Sequence, residues 1–190
     1  DILEALPALQ RRIAEVAAKR DAEVATRKRP LTGVSEFPNL HEELPARTPS
    51  AGDDVRRYGH AFEAMRDQPA QTPVFLATMG TVAAHTARAT FISNLFAAGG
   101  IDVVNAGAHA DLAEVLQSYS SSAGGQSVVC LVGNDPAYAE WGAELVGALR
   151  AAGAQWVIVA GKAGELGVDD AAAMGVNALE FLNRTREKLS

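Results

Sequence analysis

From residue 72 onward, short apolar runs alternate with stretches of helical periodicity, and few folds accept that rhythm. Residues 73–78, 101–104, 127–132 and 155–160 are apolar runs of strand length. Between them, residues 83–98, 110–121 and 134–152 carry helical patterns, and an amphipathic helix is expected over 178–188. Asn134-Asp135-Pro136 offers a polar cap with proline in the first turn, while Gly99-Gly100 and Gly153 mark helix ends. Strands separated by helices must run parallel, joined by right-handed crossovers. Their unbroken apolar character fits a sheet covered on both faces. The fold class is therefore α/β, a doubly wound parallel sheet of flavodoxin-like plan. Ala171-Ala172-Ala173-Met174 occupies the place of a fifth strand, but alanine is a poor strand former, so the pattern leaves that strand open.

Ahead of this unit the chain changes character. Residues 2–26 read as one amphipathic helix, with Leu6, Leu9, Ile13, Val16 and Ala17 at helical spacing and Pro7 near its start. An apolar stripe of this kind must pack on something, and left uncovered it predicts self-association or mobility. Residues 35–54, with Pro38, Pro45, Pro49 and Gly52, read as an extended linker. A short helix is expected over 55–67, ending before Gln68-Pro69. The start, Asp1-Ile2-Leu3-Glu4, lacks both an initiator Met and a signal pattern and reads as the interior of a longer protein. The divisions are thus 1–34, 35–71 and 72–190.

Charge excludes one class of partner. The net charge is −6, and residues beyond 34 hold ten basic against eighteen acidic side chains, so the main unit lacks the basic face that nucleic acid requires. Charged residues interrupt every apolar run before it reaches membrane-span length, so no membrane partner is expected. The single cysteine, Cys130, falls inside a strand, where it acts as a small core hydrophobe. With no disulfide framework, the cytoplasm is the expected compartment.

A ligand on such a sheet would meet the C-terminal strand ends. That rim comprises Met79-Gly80-Thr81, Asn105-Ala106-Gly107, Gly133-Asn134-Asp135 and Gly161-Lys162-Ala163-Gly164, where small residues also serve simply to make tight turns. No P-loop, Rossmann fingerprint or nucleophile elbow is present, and Gly124-Gly125-Gln126 precedes a strand rather than following one. His85 reads as a helix-face histidine, exposed or satisfied by a neighbour. His41, His60 and His109 are placed in loops or on surface helices, without metal-ligand spacing. Asp169-Asp170 reads as a helix-start pair. No catalytic constellation and no metal site is expected.

Two stretches carry a resemblance. Residues 26–40, Thr-Arg-Lys-Arg-Pro-Leu-Thr-Gly-Val-Ser-Glu-Phe-Pro-Asn-Leu, resemble the segment that closes the substrate barrel of methylmalonyl-CoA mutases. Arg57, with Phe62 to Asp67, resembles that family's linker-to-domain junction, and the unit after residue 72 is similar to its cobalamin-binding domain. By this resemblance residues 1–34 would be the last helix and short strand of a barrel. The family pattern Asp-x-His-x-x-Gly, whose histidine ligates cobalt, would fall on Ala83, His85 and Arg88; a register set from Met79-Gly80 puts Val82 and Ala84 at the first two positions. Neither restores the motif. Leu131-Val132-Gly133 stands where the family places a serine, and Ala160-Gly161-Lys162 where it places paired glycines, with a lysine that a buried pocket would not welcome.

The resemblance therefore implies the C-terminal part of a non-catalytic small subunit. It would support a large catalytic subunit in a heterodimer that interconverts methylmalonyl-CoA and succinyl-CoA. No cofactor is expected in this chain; adenosylcobalamin would sit in the partner. Were cobalamin to bind here, Gly80, His85, Gly133 and Gly161 are the candidates. A genuine cobalamin module using His85, or an unrelated flavodoxin-like binding domain, are the alternatives. A response-regulator role is disfavoured because the first and third strands end in Thr78 and Val132-Gly133, not aspartate.

Overall fold

A computed structural model describes residues 2–43, 56–122 and 126–190. The expected linker positions Pro45, Pro49 and Gly52, and the pair Gly124-Gly125, lie outside the described residues. The main unit is a five-stranded, wholly parallel sheet in the order β2-β1-β3-β4-β5. Its strands are β1 (Val74–Thr78), β2 (Val103–Asn105), β3 (Val128–Val132), β4 (Trp156–Val159) and β5 (Asp170–Ala171). Strands β1 and β3 are buried along their whole length, as unbroken apolar runs require in the middle of a two-faced sheet. Cys130 lies in β3 with its thiol pKa pushed up by burial, so it packs as a hydrophobe.

Helices cover both faces. On one, α3 (Val82–Ala98) and α7 (Ala178–Leu189) meet around Ile92, Phe96, Phe181 and Leu182 over Leu76 and Cys130. On the other, α4 (Leu112–Ser121) and α6 (Ala143–Ala151) pack Val115, Tyr119, Leu145 and Leu149 over Phe75 and Val157. The helix expected over 134–152 is one run with a wider middle: α5 (Asp135–Ala137), a π-helical segment (Tyr138–Gly142), then α6. Asn134 caps it as expected, accepting from Ala137 N–H.

Two expectations need correction. The fifth strand exists, but it is Asp170–Ala171 rather than 171–174, paired with Ile158 and Val159 of β4. Asp169-Asp170 therefore does not start a helix. Asp169 accepts Val157 N–H at 2.8 Å and pairs with Arg150, and Asp170 holds Arg184 of α7 through two hydrogen bonds. Both carboxylates close backbone and helix onto the sheet edge. The flanking alanines follow from packing, since Ala172 is fully buried.

At the other end, α1 (Ile2–Ala25) leaves Leu6, Leu9, Ile13 and Val16 exposed, as the amphipathic pattern predicts. The short helix falls at His60–Arg66, α2, and buries Phe62 and Met65. Residues 26–37 are not a free linker. Arg27 forks onto Glu36 at 2.6 and 2.5 Å, Asn94 of α3 donates to Glu36, and Phe37 N–H donates to the Asn94 side chain. Burial alone would raise the Glu36 pKa, but Arg27 and Asn94 more than offset it, leaving it lowered. A carboxylate with a lowered folded-state pKa stabilises above its unfolded value of about 4.3, and that stability is lost as pH falls through the folded value. Acid titration of Glu36→Gln is therefore expected to show a shallower stability loss below about pH 4.3 than the unaltered chain. Parallel acid limbs would show the contact is not formed in solution.

Candidate functional site

Strand order reverses between β1 and β3: α3 leaves β1 onto one face of the sheet, and the α5–α6 helix leaves β3 onto the other. The crevice beyond their C-terminal ends is where an open parallel sheet takes its ligands. Here side chains of the chain itself occupy it. Arg88, on the inner side of α3, donates to the Gly133 carbonyl at 2.7 Å and to the Asp135 carboxylate. Its guanidinium lies 4.9 Å from the centroid of the Tyr138 ring, within cation–π range.

Tyr138 is held from below. Its hydroxyl accepts Gly133 N–H at 3.0 Å and shares its single proton between the Leu131 and Ala160 carbonyls, 3.1 and 3.0 Å away. Burial pushes its phenol up to about 12, so it stays neutral. Asp135 is pulled the other way, chiefly by the Arg88 hydrogen bond, with a contribution from Lys162. Arg88 thus stands between a largely exposed carboxylate and a buried phenol, and the Tyr138 hydroxyl is committed to backbone partners.

The candidates from the sequence split into two groups. Gly133 and Gly161 come together on either side of Tyr138. A Cβ on Gly133 would stand 2.9 Å from the Met79 Cβ, so only glycine lets these turns close. A Cβ on Gly161 would meet Arg88 Cζ at 3.5 Å. Gly80 serves another purpose: at φ +79 it turns the chain from β1 into α3, and its N–H donates to the His109 carbonyl. His85 lies near the start of α3, 5% exposed, with Nδ1 buried and without a partner. The expectation of an exposed or satisfied histidine is corrected on both counts, because His85 falls on the buried face of α3. Lys162, which a buried pocket would not welcome, is exposed.

His109 is the clearest miss. It is buried rather than on a surface loop. Thr78 Oγ1 donates its proton to the Gly107 carbonyl and so accepts from His109 Nδ1 at 2.8 Å. That fixes the tautomer, and Nε2 accepts from Ser118 Oγ at 2.8 Å. The chain of hydrogen bonds locks the β2–α4 loop against β1. His41 and His60 stand as expected, in a loop and at the start of α2.

Arg88 and Tyr138 carry the geometry, yet only Arg88 had a signal, as a bulky residue in the loop-to-helix region. Nothing in the spacing marked Tyr138, because the π segment sets its direction. A second hollow of about 740 Å³ lies at the opposite strand ends, beside Ala70, Gly100 and Asp102. In its lining Arg57 pairs with Glu63, His41 Nε2 lies 3.6 Å from the Asp102 carboxylate, and Arg66 donates to the Val34 carbonyl. Among the described residues no cluster of His, Cys, Asp or Glu could hold a metal ion, and no helix is long and apolar enough to cross a membrane.

No family model matches the sequence. Individual relatives do. A methylmalonyl-CoA mutase small subunit from Streptomyces virginiae is 36% identical over 192 residues, covering 94% of this chain and 31% of that protein. A probable methylmalonyl-CoA mutase small subunit from Mycobacterium tuberculosis (strain ATCC 25618 / H37Rv) is 40% identical over 174 residues, 87% of this chain and 28% of that one. The methylmalonyl-CoA mutase small subunit of Propionibacterium freudenreichii subsp. shermanii is 31% identical over 193 residues, covering 90% and 30%. The chain spans about three tenths of the length of the curated relatives it matches.

Proposed function

Because this chain is homologous along nearly its whole length to a portion of the methylmalonyl-CoA mutase small subunits, we propose that it is the C-terminal part of a non-catalytic small subunit of that kind, with a structural role. Its partner is the large subunit of a heterodimer that interconverts methylmalonyl-CoA and succinyl-CoA in the cytoplasm, a step of propionate metabolism. Adenosylcobalamin supplies the radical chemistry of that reaction and is held by the large subunit.

The observation that carries this reading is the self-occupied crevice. A cofactor entering between β1, β3 and β4 would have to displace the Arg88 guanidinium from Gly133, Asp135 and Tyr138. His85 has no hydrogen-bonded acceptor on its buried Nδ1, whereas a metal-ligating histidine needs its second nitrogen oriented by one. The residues present do not fit adenosylcobalamin. What the chain offers instead is a packed sheet with an additional helix and arm, suited to supporting a neighbour.

Titration with adenosylcobalamin followed by visible absorbance tests the reading. No spectral change is expected at tens of micromolar. Saturable binding with the shift of histidine ligation would replace this reading with a cobalamin module built on His85. Support for the large subunit is tested by its turnover with and without the full-length small subunit, and undiminished turnover alone would sink the structural role.

A further inference from the structure

The rim contains a binding site that is already filled. Three groups converge on the Arg88 guanidinium: a carbonyl oxygen from Gly133, the Asp135 carboxylate and the face of Tyr138. Together they provide two acceptors and an aromatic wall, the complement of a cation with several N–H donors. Two of the three walls hold their positions without Arg88, while the Asp135 carboxylate is 84% exposed and is placed by its backbone turn. Tyr138 is fixed through its hydroxyl by Leu131, Gly133 and Ala160. Gly133 is held by its N–H bond to the Tyr138 hydroxyl. The Asp135 turn is capped by Asn134.

We propose that the switch-point crevice is a preformed guanidinium site and that Arg88 is its internal ligand, a plug separable from the walls it fills. The inference goes beyond the structural-subunit reading. It names the residue that decides what the rim excludes, and it assigns the rim a ligand chemistry of its own once that residue is gone. A side chain of Arg88 type closes the crevice whatever stands at positions 83 and 85.

The test is rescue. Arg88→Ala should keep the far-UV spectrum of the folded chain and melt at a lower temperature. Guanidinium ion at about 10 mM, far below denaturing concentration, should raise that melting temperature by about 2 °C over the same concentration of sodium chloride. The unaltered chain, whose site is occupied, should show no such gain. Equal response of the two proteins, or no response of Arg88→Ala, overturns the proposal. Should Arg88→Ala fail to fold, NMR of the unaltered chain still decides. A seated Arg88 gives slowly exchanging guanidinium protons with hindered rotation at low temperature, and a single averaged signal means the plug is not seated. The two failures are distinguishable: failed rescue with Arg88 seated leaves the structural-subunit reading intact, whereas an unseated Arg88 removes the contact that supports it, and the cobalamin titration of the unaltered chain then decides that reading.

Discussion

Replacing Tyr138 by alanine is expected to lower the stability of this chain by about 3–5 kcal/mol, the range for truncating a buried aromatic residue. Three contributions combine. The ring fills the space between Gly133 and Gly161, each of which lacks the Cβ that might otherwise collapse inward. The hydroxyl satisfies Gly133 N–H and bridges to the carbonyls of β3 and β4. The ring face also carries the Arg88 guanidinium, which would lose its aromatic partner. Tyr138→Phe separates these effects: it keeps the volume but strands a buried N–H, at a cost of about 1–3 kcal/mol. Urea denaturation of both variants checks the account. A loss below about 1 kcal/mol for Tyr138→Ala would mean that the crevice is not filled as described.

The second large effect lies on the far face of the sheet. Phe181 of α7 is fully buried and stacks on Phe96 of α3, with ring centroids 5.8 Å apart and planes inclined by 27°. The pair joins the two helices that cover β1, β3 and β4 on that side. Phe181→Ala is expected to cost about 3–5 kcal/mol, from lost burial and from the cavity left behind. For a chain of this length that lowers the melting temperature by about 10 °C. The fall should appear as a lower denaturation midpoint at unchanged slope, and a changed slope would mean that α7 had come away from the sheet. Because α7 also anchors Asp170 through Arg184, such detachment would free the β5 edge.

The strands β1, β3 and β4 were legible because each is an unbroken apolar run, which only a doubly covered sheet can bury. The Asn134 cap was legible because capping chemistry is local. What escaped was decided by distant contacts. Asp169 and Asp170 look like a helix start in sequence, but their partners are Val157, Arg150 and Arg184, separated from them by 12 to 19 residues. His109 reads as a loop histidine until Thr78, 31 residues away, accepts a hydrogen bond from its Nδ1–H. The same limit applies at the rim. The departures at 83 and 88 from a ligand motif are visible in the sequence. That Arg88 itself would fill the space depends on where the π segment points Tyr138.

The two edges of the sheet are very short: β2 spans three residues and β5 two. A foreign strand adding there would find too few unpaired N–H and C=O groups to align with. A partner meeting this sheet at its edges is therefore left to side chains on the flanking helices and loops rather than to backbone pairing. Such a joint can be retuned by surface substitution alone, leaving the ladder of the sheet undisturbed.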